Sequence, residues 1–139
     1  SIGCASSYGK AYIHGAGDPE KLWTADHDLF LESMADAASS VVKLFAGKIA
    51  YINVMCNMSV DCDCCAKAED PCMKDIGILA STDPVAIDKA CLDLVYNSSD
   101  PGKEHLIERI ESRNGVHTID SAYELGIGNK EYELINIDN

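Results

Sequence analysis

Basic residues are scarce in this chain. Of its 139 residues, 11 are Lys or Arg and 23 are Asp or Glu, a formal net charge of -12. A surface of that sign repels phosphate backbones and anionic headgroups, which speaks against nucleic-acid binding and against attachment to a membrane surface. Basic partners stay open, although a solvated acidic surface that keeps the protein in solution is the plainer reading. No apolar run approaches the roughly 20 residues of a membrane span. A P-loop and the G-x-G-x-x-G fingerprint are both missing. His27, His105 and His117 have no Ser or Asp at a spacing that suggests a catalytic triad. Asp83, Asp88 and Asp93 fall on one expected helix rather than facing one another, so paired-carboxylate hydrolysis is not indicated.

Repeats, low-complexity tracts and Gly/Pro/Ser linkers are absent too, which leaves residues 1–139 as a single domain. A chain of this size buries about two-thirds of its unfolded surface and needs neither disulfides nor a metal merely to stay folded. The opening "SIGCASSYGK" has no initiator Met and no charged-then-apolar leader, so the expectation is a piece of a longer chain or a processed form.

Cysteine, by contrast, is plentiful. There are seven, an odd number, and Cys64 and Cys65 are adjacent and poorly placed to pair, so a secreted disulfide scaffold fits badly and a reducing cytoplasm fits better. Four of the seven lie in "DCDCCAKAEDPC", residues 61–72. Cys62, Cys64 and Cys65 give both a C-x-C and a C-x-x-C spacing, with Cys72 further on. Thiolates so close together repel unless a cation or cluster neutralises them, and soft sulfur selects zinc, copper(I) or iron–sulfur centres. Neither the ferredoxin run nor the second C-x-x-C of a zinc ribbon is present. The competing reading is a set of free thiols or a zinc knot that only tidies a loop. Asp61, Asp63, Glu69 and Asp70 raise thiol pKa values, which disfavours a thioredoxin-like dithiol, yet they would stabilise a bound cation.

Further donors stand apart in the sequence. Cys4 lies in the Gly- and Ser-rich "GCASSYGK", which reads as a turn, and His14 follows in "YIHGAG". Either can complete a site built from separated segments, and each alone reads as structural. Cys56, at a strand end, and Cys91, on a helix's apolar face, are assigned to core packing.

Periodicity organises the rest. Phe30, Met34, Ala38, Val41 and Phe45 form one apolar stripe on a helix over residues 26–46, stopped by Gly47. "KIAYINVM", residues 48–55, and "DIGILAS", residues 75–81, read as strands, with the cysteine-rich segment as the exit loop of the first. Asp83 as N-cap and Pro84 as first residue open a helix whose buried face is Ile87, Cys91, Leu94 and Val95. Asp100 and Pro101 start another through about Ile110, Thr118 opens one more ending at Gly126, and "YELINI" closes the chain as a strand. The order implies an α/β architecture: a small central sheet with helices packed on it, with ligands expected at loops leaving the strand ends.

The strings "DCDCC", "KDIGILASTDPVAIDKACLDLVYN" and "LGIGNKEYELINID", with the opening "GCASSYGKAYIH", resemble the family filed as domain of unknown function 362. Members of that family are often described as uncharacterised iron–sulfur centre proteins. Many carry an inserted ferredoxin domain after the opening segment, which this chain does not have. The resemblance implies that Cys62, Asp63 and Cys64, with Cys4 and His14, belong to a metal or cluster site, with Cys65 and Cys72 as local additions. It also implies a longer chain on the N-terminal side, of which residues 1–139 would be the C-terminal part. Two functions follow as expectations. One is a metal- or iron–sulfur-binding module, holding a cluster or iron, that exchanges electrons with a redox protein partner. The other is a non-catalytic scaffold fastened by zinc.

Overall fold

The computed structural model describes residues 5–61 and 66–138. Among these described residues, five α-helices and two strands follow one another: α1 (Ser7–His14), α2 (His27–Phe45), β1 (Tyr51–Met55), β2 (Gly77–Ser81), α3 (Pro84–Tyr96), α4 (Lys103–Ser112) and α5 (His117–Glu124), with a short 3-10 helix at Pro19–Lys21. Within the chain two units form, one from Ser1–Ile49 with Ile110–Ile127, the other from Ala50–Arg109 with Gly128–Asn139.

In the first unit α2 starts at Asp26, whose carboxylate accepts from the amides of Asp28 and Leu29, and ends at Ala46 in the left-handed region (φ 46°). Its packing face is turned slightly from the expected stripe: Leu31, Ala35 and Ser39 are buried, whereas Phe45 is half exposed. Four-residue spacing puts these three on one line, and the small Ala35 and Ser39 let α5 approach, bringing Ile119 and Ser121 into the same interior. The two buried hydroxyls are satisfied within their own helices, Ser39 donating to the Asp36 carbonyl and Ser121 to that of His117. Polar contacts fix the entry of α5: Asn114 donates to Asp28 at 2.7 Å, and His117 Nε2 lies 3.0 Å from Glu32 Oε1.

A correction concerns the opening segment. "SYGKAYIH" is helical, not a turn: the Ser6 hydroxyl accepts from the Gly9 amide and so caps α1, which packs on α2. His14 ends this helix, exposed, its ring stacked on Phe30 with centroids 4.8 Å apart.

The second unit carries the sheet. β1 and β2 run antiparallel, with Tyr51 opposite Ser81 and Met55 opposite Gly77. Alternation gives one inner face, with Asn53, Met55 and Leu79, and one outer face, where Ile52, Val54 and Ile78 are largely exposed. Helix α3 covers the inner face. The interior is Met55, Met73 and Val95, with Cys91 and Leu94 of α3 and Leu106 and Ile107 of α4 packed against them. Each such side chain withdrawn from water contributes about 1.5–3 kcal/mol, so this cluster holds sheet and helices as one layer pair. The α/β class and the small sheet with helices packed on it are what the sequence predicts.

The terminal "YELINI" is not a strand. Residues 129–138 have no regular structure, and Leu134, Ile135 and Ile137 are exposed. A strand needs a backbone ladder, and what this segment meets on α3 is side chains: Asn129 is held by Asp83, and Tyr132 donates to Asp93 at 2.7 Å. Among the described residues, no helix is long and apolar enough to cross a membrane.

Candidate metal centre

Between β1 and β2 the chain leaves the sheet as a long loop, and its two limbs are tied at successive levels. Nearest the sheet, the Ile76 amide donates to the Met55 carbonyl at 2.9 Å, and the Asn57 amide donates to Asp75 at 2.7 Å. Further out, Ser59 donates from its hydroxyl to the Glu69 carbonyl, and the Glu69 amide donates to Asp61 Oδ2, both at 2.9 Å. The interval between Asp61 and Glu69 is the one that contains Cys62, Cys64 and Cys65. Those three cysteines, with Asp63 and Cys4, lie outside the described residues.

Helix α4 supports the returning limb. Gly102, just before it, has no room for a side chain: a Cβ there would fall 1.8 Å from the carbonyl oxygen of Cys72. This close approach brings Cys72 within reach of the first turn of α4, where His105 Nδ1 lies 3.1 Å from Cys72 Sγ. The other ring nitrogen, Nε2, lies 3.5 Å from Glu69 Oε2. One helical turn on, Arg109 Nη2 is 3.6 Å from Asp61 Oδ1. His105 and Arg109 thus share the face of α4 that meets the loop, while Leu106 and Ile107 face the core, the spacing expected of an amphipathic helix.

Sequence reasoning missed His105. It looks for partners nearby in the chain, whereas Cys72 is 33 residues away and is delivered by the packing of α4. The i,i+4 pair of His105 and Arg109, a ring and a cation on one face, is the local signal that points there.

The donors fit the chemistry expected of a soft centre. Thiolate and imidazole suit zinc, iron and iron–sulfur centres, whereas a purely carboxylate set would suit hard cations. Among the described residues no three His, Cys, Asp or Glu side chains form a metal-holding group, so Cys72 and His105 are at most part of a ligand set. His14, the remaining sequence candidate, belongs to the first unit and stacks on Phe30. Cys56, Cys72 and Cys91 are free thiols. Burial, opposed by the Asn53 hydrogen bond and aided by Asp88, pushes the Cys91 thiol up, which keeps it protonated and suits a packing role. Beside it Asn53 Nδ2 donates to Asp88 at 2.8 Å, and desolvation outweighs that bond and raises the Asp88 carboxyl. Next in the chain after Cys72, Met73–Ile76 line an open cleft of about 460 Å³ together with Ser98–Pro101, and there Asp100 accepts from the amides of Lys74 and Gly102.

No curated protein and no solved structure matches this chain. The family model for the domain of unknown function DUF362 matches residues 1–93, from the opening segment through the cysteine-rich loop into α3. The string "LGIGNKEYELINID" lies beyond that match. With well over half of its length so matched, the chain belongs to the DUF362 family.

Proposed function

We propose that this protein is a metal- or iron–sulfur-binding module that exchanges electrons with a protein partner in the cytoplasm. The observation that carries the reading is the crowding of Cys62, Cys64, Cys65 and Cys72 on one loop whose limbs are drawn together by the Asp61, Ser59 and Glu69 hydrogen bonds. Sulfur anions at that density beside carboxylates are tolerable when a soft cation neutralises them. A bound cluster or iron ion would take up and release one electron, and the acidic loop would favour its oxidised form. A structural zinc is the second reading, supported by the mixed sulfur and nitrogen character of the Cys72–His105 pair.

Purification without exposure to air or chelators, followed by metal analysis and visible spectroscopy, tests the proposal. Colour with bound iron supports the redox module, stoichiometric zinc without colour supports the scaffold, and a metal-free chain overturns both. In the variant with Cys62→Ser and Cys64→Ser, metal content falls to a small fraction while the circular dichroism of the fold persists, because hydrophobic burial is sufficient to hold a chain of this size. Unchanged metal content overturns the assignment. Cys91→Ala serves as control: it retains the metal and loses about 1 kcal/mol of stability through packing.

A further inference from the structure

His105 meets the loop with both nitrogens of its ring. Its ring is held from both ends, Nδ1 3.1 Å from the Cys72 sulfur and Nε2 3.5 Å from the Glu69 carboxylate. The carboxylate faces Nε2 and the sulfur faces Nδ1, so a ring carrying its proton on Nε2 would direct the Nδ1 lone pair toward the cysteine. A metal-ligating histidine is oriented in this manner: one nitrogen to the metal, the other donating to a carboxylate that fixes the ring and raises its basicity. The separation also suits two ligands of one ion. With metal–sulfur and metal–nitrogen bonds of about 2.3 and 2.0 Å, neighbouring donors on a tetrahedral ion stand roughly 3.5 Å apart, a few tenths of an ångström beyond the contact seen.

Resting on the reading that this loop binds metal, we infer that His105 is a ligand of the same ion through Nδ1, paired with Cys72, and that Glu69 is the carboxylate that orients it. The centre is then mixed sulfur and nitrogen in character rather than all-thiolate. A protein ligand from α4 also ties the loop to the helix that buries Leu106 and Ile107, which places the ion against the core rather than at the tip of a free loop.

The test is a titration of the full chain with cobalt(II) alone, without air, which reports affinity from the bound fraction and ligand type from the visible bands. His105→Ala weakens cobalt binding at least about tenfold and changes the ligand-field bands. His105→Cys restores binding and adds thiolate charge-transfer intensity, and Glu69→Gln weakens binding about tenfold while leaving the bands in place. Wild-type affinity and spectrum in His105→Ala, or no added charge-transfer intensity in His105→Cys, overturns the inference and leaves the loop's cysteines as the centre. A wild-type chain that takes up no cobalt overturns the inference together with the reading on which it rests. Should the alanine variant lose its helical circular dichroism, the Cys and Gln variants decide.

Discussion

Asp83 and Asn129, 46 positions apart, are joined through one carboxylate that also starts a helix. Oδ1 of Asp83 accepts from the amides of Val85 and Ala86, both at 2.9 Å, and so caps α3. Its Oδ2 accepts from the backbone amide and the side-chain amide of Asn129, at 2.9 and 3.0 Å. Gly128 leaves the space for this, since a Cβ there would lie 2.2 Å from Asp83 Oδ1 and 2.8 Å from Val85. Two of the strings that carry the family resemblance, "STDPVAIDKA" and "GIGN", are thus the two sides of one joint.

Removing that carboxylate costs the cap and frees the terminal segment together. Asp83→Ala is expected to destabilise the chain by about 2 kcal/mol, the sum of a lost N-cap and a lost hydrogen-bonded anchor. Asp83→Asn keeps more than half of it, because the amide oxygen still accepts from Val85 and Ala86. Gly128→Ala costs about 1–3 kcal/mol through the enforced clash. Urea midpoints measure all three, and a loss under about 0.5 kcal/mol for Asp83→Ala contradicts the joint.

The end of α2 offers a gain instead. Ala46 holds the left-handed cap at φ 46°, ψ 49°, a conformation that costs an L-residue with a Cβ about 1 kcal/mol. Gly47 follows at φ 79°, so the chain reverses on a residue without that penalty only one position later. Ala46→Gly is expected to stabilise by about 0.5 kcal/mol after the greater freedom of glycine in the unfolded chain is deducted, raising the melting temperature by about 2 °C. A fall in melting temperature contradicts this account of the cap.

His117 makes the first unit sensitive to pH. Its hydrogen bond to Glu32, assisted by the charges of Asp28, Glu32 and Asp120 and opposed by partial desolvation, raises its pKa above the ordinary value of 6.5. The folded state therefore favours the imidazolium. The resulting stabilisation is complete below pH 6.5 and is lost as pH rises through the raised folded value. His117→Gln is expected to lose up to about 1 kcal/mol at about pH 5.5 and nearly nothing at about pH 9, since the pair is partly exposed and screened. Equal deficits at both pH values assign His117 a packing role alone.

Most helices and both strands are legible in the residues because their signals are local. Asp26 and Asp83 are side-chain caps within three residues of what they cap, and the β-branched "YINV" declares a strand without reference to its partner. What requires a partner is harder to read. The face of α2 turned inward is chosen by α5, which selects the smaller Ala35 and Ser39 over the bulkier Phe45. "YELINI" has strand composition, but side-chain anchors on α3 bind it in place of a ladder. α1 went unrecognised because Gly9 and the serines suggest a turn, although Ser6 is itself a capping signal. At the candidate site, the crowding of the cysteines along the chain is visible in the sequence alone. The Cys72–His105 contact depends on Gly102 admitting a carbonyl against the start of α4, and the i,i+4 pair of His105 and Arg109 marks the helix face without naming that partner.

The Glu69 amide and the Asp61 carboxylate fasten the two limbs of the loop to each other, with the Ser59 hydroxyl on the Glu69 carbonyl as a second clasp. The freedom lost in closing a loop grows only with the logarithm of its length, so a fastening between residues eight positions apart is an inexpensive one. The register of the two limbs is thereby set by the protein's own polar groups.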